Sequence, residues 1–280
     1  MNPPLVSVII PTFNRAYCLA ESIHSVLAQS GFELIVVNDG STDDTMKVLA
    51  NFPSVKVIHL DENRGVSYAR NKGLERAQGS LICFLDSDDL WEEGKLQAQV
   101  EWMQDHPDCK AVYTDEIWIR NGVRVNPMNK HQKYSGDIFR QCLPLCIVSP
   151  SSVMLRKSVL DEVGGFDESM PVCEDYDLWL RIAAHYPFKF LSDKLIIKRG
   201  GHEDQLSRKY WGMDRWRVYA LEKLLHGDDL NMSQREWVTE MLIKKCEILI
   251  QGFEKRGKAE DAKIYRDIVS ANSNKVDSIN

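Results

Sequence analysis

The chain has 280 residues, 44% of them hydrophobic, which suffices for a sizeable core and excludes a disordered or fibrous chain. Lysine and arginine total 35 against 41 aspartates and glutamates, and the resulting net charge of -6 argues against broad binding to nucleic acid or an anionic membrane. Seven cysteines, odd in number and without a C-x-x-C pair, argue against a disulfide framework or a structural zinc site and fit a reducing compartment.

Met1 to Pro4 carry no basic segment, and the apolar run that follows stops at Pro11, Asn14 and Arg15, so neither a leader nor a membrane span is expected. The first hundred residues alternate short β-branched runs with helical periodicities. Strands are predicted over 5–11, 33–38, 55–60 and 80–86, with helices over 16–29, 43–51 and 66–77 between them. Crossovers of that length make an open, mostly parallel α/β sheet, whose ligands sit beyond the carboxyl ends of the strands. From about Lys110 the alternation weakens: strands are predicted over 111–119 and 152–155, with a long loop or hairpin over 121–134. A helix over 174–185, two strands over 188–191 and 195–198, and the Gly200-Gly201-His202 segment follow. The remainder reads as helical to about Val269, with Trp237, Met241, Ile248 and Leu249 on one apolar face and the last ten residues frayed.

Every predicted strand end in the first half is polar. Pro11-Thr12-Phe13-Asn14-Arg15 follows the first, Asn38-Asp39-Gly40-Ser41 the second, Asn63-Arg64-Gly65 the third and Asp86-Ser87-Asp88-Asp89 the fourth. Alternation along a strand puts Asp86 and Asp88 on one face, where two carboxylates can share a hard divalent cation. The plainer alternative is that Asp88 or Asp89 caps the next helix. Asp39 follows a buried strand and can accept a hydrogen bond from a base N–H, although Asn-Asp-Gly is also an ordinary turn. Arg70, in the third helix, is read as supporting a site rich in carboxylates. In Glu174-Asp175-Tyr176-Asp177 the acids either complement a helix N-terminus or include a catalytic base. His202 is either an exposed loop residue or a third metal ligand on a closing loop. Tyr210, Trp211, Met213, Trp216 and Tyr219 read as core packing or, with Arg208, Lys209 and Arg215, as an acceptor or phosphate groove. There is no G-x-G-x-x-G, G-x-x-x-x-G-K-[ST], H-E-x-x-H or G-x-S-x-G motif.

Taken in order, SVIIPTFNR (7–15), VVNDGSTDDT (36–45), NRGVSYARNKGLERAQG (63–79), FLDSDDLW (84–91), VGGFDE (163–168) and EDYDLWLR (174–181) closely resemble the family 2 glycosyltransferases of GT-A fold. The resemblance covers about residues 5–205. It implies a GT-A-like open sheet that binds a sugar nucleotide over 1–110, mixed strands in an acceptor half over 111–205, and a helical C-terminal extension over 206–280. It implies that Pro11, Thr12, Asn14, Asp39 and Arg70 hold the nucleoside, that Asp86 and Ser87 approach the ribose and diphosphate, and that Asp88 ligates Mn2+ or Mg2+. Asp86 and His202 complete the expected metal set, and Asp175 is the expected base, with Glu174 as the alternative. The expected reaction is a metal-dependent, inverting transfer of one hexosyl or N-acetylhexosaminyl group. A uridine diphosphate sugar is the favoured donor, and a glycan, a lipid-linked intermediate or a protein the acceptor. A sugar-nucleotide nucleotidyltransferase and an inactive binding subunit stay open as alternatives, as do peripheral contact with the inner face of a membrane and a homo-oligomer. Glu93 stands where many relatives carry proline, and the tail beyond Trp211 lacks the long apolar segments of processive synthases.

Overall fold

The structure is a computed structural model and describes residues 5–201 and 210–277. Strands β1 (Val6–Thr12), β2 (Phe32–Asp39), β3 (Lys56–Leu60) and β4 (Leu81–Phe84) are parallel. Helices α1 (Leu19–Leu27), α2 (Thr45–Leu49) and α3 (Val66–Arg76) connect them in the predicted order. Helices α1 and α2 are shorter than the predicted 16–29 and 43–51, with turns taking up their flanking residues, while α3 matches the predicted 66–77 to within one residue. Both β1 and β2 are buried almost throughout, as parallel strands covered on two faces must be.

The sheet runs β3-β2-β1-β4, so the chain moves outward from β1 through β2 to β3 and then returns to the other side of β1. Right-handed crossovers therefore place α1 and α2 on one face and α3 on the other. Leu19, Ile23, Val26 and Leu49 pack with Val8 and Ile10 in one core, while α3 lies over β1 so closely that a Cβ on Gly73 would stand 2.4 Å from Ile9. The reversal opens a crevice at the carboxyl ends of β1 and β4, where open α/β sheets bind ligands.

Beyond β4 come β5 (Leu90–Trp91), α4 (Lys95–Asp105), β6 (Ala111–Arg120), β7 (Val123–Val125), α5 (Phe139–Cys142), β8 (Val153–Arg156), α6 (Lys157–Val163), α7 (Glu174–Ala183) and β9 (Phe188–Gly200). The sheet continues from β4 antiparallel to β8, then through β6 and β9 to β5, with β7 forming the predicted hairpin on β6. The two strands expected over 188–191 and 195–198 are one. Ser192 and Asp193 bulge out between Leu191, opposite Thr114, and Lys194, opposite Asp115, so the polar interruption bends the strand and does not end it.

The C-terminal helices α8 (Met213–His226), α9 (Met232–Glu254) and α10 (Ala259–Asp277) follow, the last still helical across most of the segment expected to fray. Their apolar side chains, among them Leu221, Leu242 and Phe253, share one core with Phe84, Tyr176 and Trp179. The buried face of α9 is Val238, Leu242, Cys246 and Leu249, rotated from the predicted one, and Ile248 is exposed. Trp211 and Tyr219 are likewise exposed, against their expected place in the core, while Met213 and Trp216 pack on it. No described helix is long and apolar enough to cross a membrane.

Lys95 departs from the usual rule for charged residues. It is fully buried, with its ammonium 3.6 Å from the Cys83 thiol and 3.7 Å from the centre of the Trp91 ring. Burial lowers its pKa from 10.5 to about 8. Below the lower value both folded and unfolded chains are protonated and the fold bears the full penalty. Between the two values only the unfolded chain keeps the proton, so stability rises with pH, by about 3 kcal/mol from this residue. Lys95→Met is expected to raise stability at pH 7 and to flatten that rise. Urea unfolding of both proteins at pH 7 and pH 10 measures it, and parallel pH dependences would refute the assignment.

Candidate active site

The crevice is walled first by loops that hold one another. Asn14 adopts a left-handed backbone, φ 52°, and its side-chain oxygen accepts from the Thr42 N–H at 2.8 Å, while its own N–H donates to Ser41 Oγ at 2.9 Å. The Asp39 carboxylate, 2% exposed, accepts from the Arg64 N–H and the Gly65 N–H at 2.8 Å each and from Asn63 Nδ2 at 3.0 Å. Burial raises its pKa, against the lowering effect of those N–H groups. Gly40, φ 69°, lets this loop lie against the Glu62 backbone, where a Cβ would come within 2.5 Å. Asn14 and Asp39 are thus first of all the clamps that shape the wall. Pro11 and Thr12 are buried at the end of β1, and Thr12 Oγ1 has no hydrogen-bond partner among the described residues.

The centre of the site is a buried ionic bridge. Arg70 Nη1 donates to Glu174 at 2.6 Å and Nη2 to Asp86 at 2.7 Å, and the guanidinium lies 4.9 Å from the Phe166 ring centre. Arg70, expected to support a carboxylate-rich site and by resemblance to hold a nucleoside, has a side chain only 3% exposed, with both ends of its fork taken by Glu174 and Asp86. The bridge changes the reading of Glu174, which is 6% exposed and committed to the arginine. Burial pushes the Glu174 carboxyl up to about 7, Arg70 pulls it back, and neighbouring Asp175 adds to the rise. The arginine draws on two carboxylates and is held firmly charged, whereas Glu174 draws on a shared cation and loses more by leaving water.

The strand-alternation argument for Asp86 and Asp88 does not survive, because β4 ends at Phe84 and residues 87 and 88 form a turn closed by the Asp89 N–H donating to the Asp86 carbonyl at 2.9 Å. Ser87 is buried, and its carbonyl accepts from Ser22 Oγ at 2.9 Å. Neither Asp88 nor Asp89 caps α4, whose first turn follows Gly94. Asp89 is buried and accepts from Ser151 Oγ at 2.7 Å and from the Arg199 N–H at 2.9 Å. Burial raises its pKa well above normal, with Asp88 and then Asp86 adding to the rise. Asp88 is half-buried in the same turn, and its carbonyl accepts from Arg199 Nε. His202, Arg208 and Lys209 lie outside the described residues.

Asp175 sits half-buried on the first turn of α7, after Cys173 in a left-handed conformation, φ 62°, that a non-glycine residue adopts only at some cost. One of its carboxylate oxygens accepts from the Tyr176 N–H at 2.7 Å and the other from the Cys146 thiol at 3.3 Å. Burial raises the Cys146 pKa far above its usual value, and Asp175 raises it further, so the thiol remains a donor. The VGGFDE segment acts as a joint: Asn71 exchanges hydrogen bonds with the Phe166 backbone at 2.9 Å each way, and Arg181 donates to the Val163 and Gly165 carbonyls at 2.6 Å.

Sequence reasoning missed a second charged cluster. Glu116, on β6, accepts from Ser149 Oγ, from Trp118 Nε1 at 2.8 Å and pairs with Lys133 at 3.1 Å. Burial disfavours its charge, yet Lys133 and Lys198 hold its pKa down at about 2. Lys198 on β9 is held more firmly charged by Glu116 first and then by Asp89 and Asp86, so its charge acts on both the cluster and the acidic turn. No local pattern marks it, because the partners come from separate strands.

The family model described as glycosyl transferase family 2 matches residues 7–164, more than half of the chain. The chain belongs to glycosyl transferase family 2. Among curated members, TuaG of Bacillus subtilis, named for teichuronic acid biosynthesis, is 46% identical over 117 residues, 40% of this chain and 46% of that protein. The chain spans between about a quarter and a half of the first curated relatives' own length. In fold, S. aureus TarS 1–349 in complex with UDP-GlcNAc superposes with a TM-score of 0.66 at 18% identity, over 94% of this chain and 90% of that one. A mannosyltransferase from Pyrobaculum calidifontis, in complex with GDP-Man and Mn2+, superposes with a TM-score of 0.62 at 18% identity, over 97% and 84%. This family 2 chain has the mixed α/β sheet and C-terminal helices that its motifs implied.

Proposed function

We propose that the chain transfers one sugar from a nucleoside-diphosphate donor, preferably a uridine diphosphate sugar, to an acceptor hydroxyl with inversion at the anomeric carbon. The observation that carries this reading is the Arg70 bridge. One buried guanidinium ties Asp86, just beyond the end of β4, to Glu174, the first residue of α7, and so links the acidic turn to the helix start that carries Asp175. Thr12, whose hydroxyl has no partner among the described residues, and the loop shaped by Asp39 are suited to receive a nucleoside. Asp175 then takes the proton from the acceptor hydroxyl as its oxygen attacks on the face away from the leaving diphosphate. Cys146 and the Tyr176 N–H orient the carboxylate for that transfer.

A divalent cation fits the acidic turn. The available donors are hard carboxylate oxygens, and burial, Asp88 and Asp86 raise the pKa of Asp89 against the pull of Lys198, a strain that a cation at the turn would relieve further. The described residues contain no group of three or more His, Cys, Asp or Glu able to hold a metal. An ion that arrives with a diphosphate needs only one or two carboxylates from the protein. Asp88 would hold it, with Asp86 in support, and it would supply neutralisation of the departing diphosphate.

Thermal unfolding with UDP and GDP, each with and without Mn2+, tests donor and metal together. At a hundredfold excess over Kd a bound nucleotide stabilises the fold by about 2.7 kcal/mol, a rise of several degrees. The rise is expected to be larger with UDP than with GDP, to need Mn2+ or Mg2+ and to be lost in Asp88→Ala. An undiminished rise in that variant after chelation would remove the metal role, and no rise with any nucleoside diphosphate would remove the donor reading.

A further inference from the structure

Away from the acidic turn, between α8, α9 and the loops around residues 130 and 144, lies a cavity of about 300 Å³. Four cations line it, Lys130, Arg217, Lys244 and Lys245, with Asp214 as the single carboxylate. That acid is already shared: it accepts from Arg217 at 2.9 Å and from Lys245 at 3.0 Å. Lys130 and Lys244 are exposed and have no ion pair among the described residues, and the buried Arg217 Nε has no hydrogen-bond partner there. Among the described residues, four positive charges against one negative make a local excess of three in a chain whose net charge is -6. His131 also lines the cavity, beside Lys130. Burial lowers its pKa, and Lys130 and Lys198 lower it further, so the ring does not add to the charge.

The cavity shares a wall with the proposed base. The loop that supplies Pro144 and Leu145 continues into Cys146, whose thiol holds Asp175, and the Pro144 carbonyl is fixed by Lys245 at 2.9 Å. The rest of the lining is apolar, with Leu145, Met241 and Ile248 facing the cations. Such a cavity suits a group that is strongly anionic at one end and carbon-rich at the other. A phosphate, carrying more than one charge and several acceptor oxygens, answers an excess of three better than a single carboxylate does.

We propose that this cavity is an acceptor-side anion subsite that takes a phosphate group carried by the acceptor. The proposal rests on the reading of Asp175 as the base, because it is the shared 144–146 wall that puts the cavity on the acceptor side. A lipid phosphate and a polyol phosphate offer the same chemistry to the cations, and only the apolar wall distinguishes them.

The test uses the intact protein saturated with UDP and Mn2+, so that the donor site is filled, and titrates it calorimetrically with glycerol 1-phosphate, decyl phosphate and glucuronate. Both phosphates are expected to bind, more weakly as salt rises, and to lose at least about tenfold in affinity in Lys130→Ala/Lys244→Ala, whose UDP affinity is unchanged. Tighter binding of decyl phosphate would identify a lipid phosphate, and equal affinities a soluble one; either supports the site. Wild-type phosphate affinity in the double variant, or glucuronate binding as tightly as the phosphates, would overturn it. If UDP itself fails to bind, the donor reading falls, and the same titration without UDP still decides the anion subsite.

Discussion

Asp175→Asn is expected to lower kcat by about 10²–10⁴-fold while donor affinity stays nearly unchanged, the signature of a group needed mainly in the transition state. The variant keeps the size of the side chain and an oxygen to accept from the Tyr176 N–H, so α7 should still start where it does. What it loses is the ability to take a proton. Glu174, one residue earlier, cannot replace it, because a helix turns about 100° per residue and because its own carboxylate is buried against Arg70. Glu174→Gln should therefore act through stability and leave a measurable rate, the opposite pattern. Rates and calorimetry on the two variants separate the roles; normal turnover in Asp175→Asn would transfer the role elsewhere. From an α-linked donor the product should be the β-glycoside, and an α-linked product by NMR would overturn inversion altogether.

Arg70→Met is expected to destabilise the fold by about 3–5 kcal/mol, since it leaves the side chains of Glu174, 8% exposed, and Asp86, 30% exposed, without their cation. Methionine fills much of the same volume, so the loss measures charge more than packing. Glu174 carries most of it, being the deeper of the two, and Arg70→Met/Glu174→Gln should recover part of the stability while remaining slow. A urea midpoint for Arg70→Met close to that of the native chain, at an unchanged m-value, would show that the bridge contributes little. Full recovery of the rate in the double variant would show that it does not position Asp175.

β1, β2 and β4 were legible because burial on both faces writes apolar runs of four to eight residues into the chain, β3, the half-exposed edge strand, by its Val57-Ile58 pair, and the helices by the helical period of each crossover. The motif set showed the family, and on it rests the proposal that the chemistry lies at the ends of β1, β2 and β4 and the start of α7. Local pattern failed where a partner lies far along the chain. Asp86 and Asp88 were paired by an alternation that the turn after Phe84 cancels. Arg70 was read as supporting a carboxylate-rich site, yet nothing near it in sequence announces its partner Glu174, 104 residues away. Glu116, Lys133 and Lys198 show no motif at all, and β9 was divided because a bulge reads as a turn when its partner strand is unknown. From composition, periodicity and motif the sequence by itself determined the α/β class, the family and which residue types carry the chemistry. Only the tertiary structure decided which carboxylates are neutralised by buried cations and which are left to act, since that depends on what the sheet order β1-β4-β8-β6-β9 brings within about 3 Å, a distance at which a charge in a low dielectric is either paired or expelled.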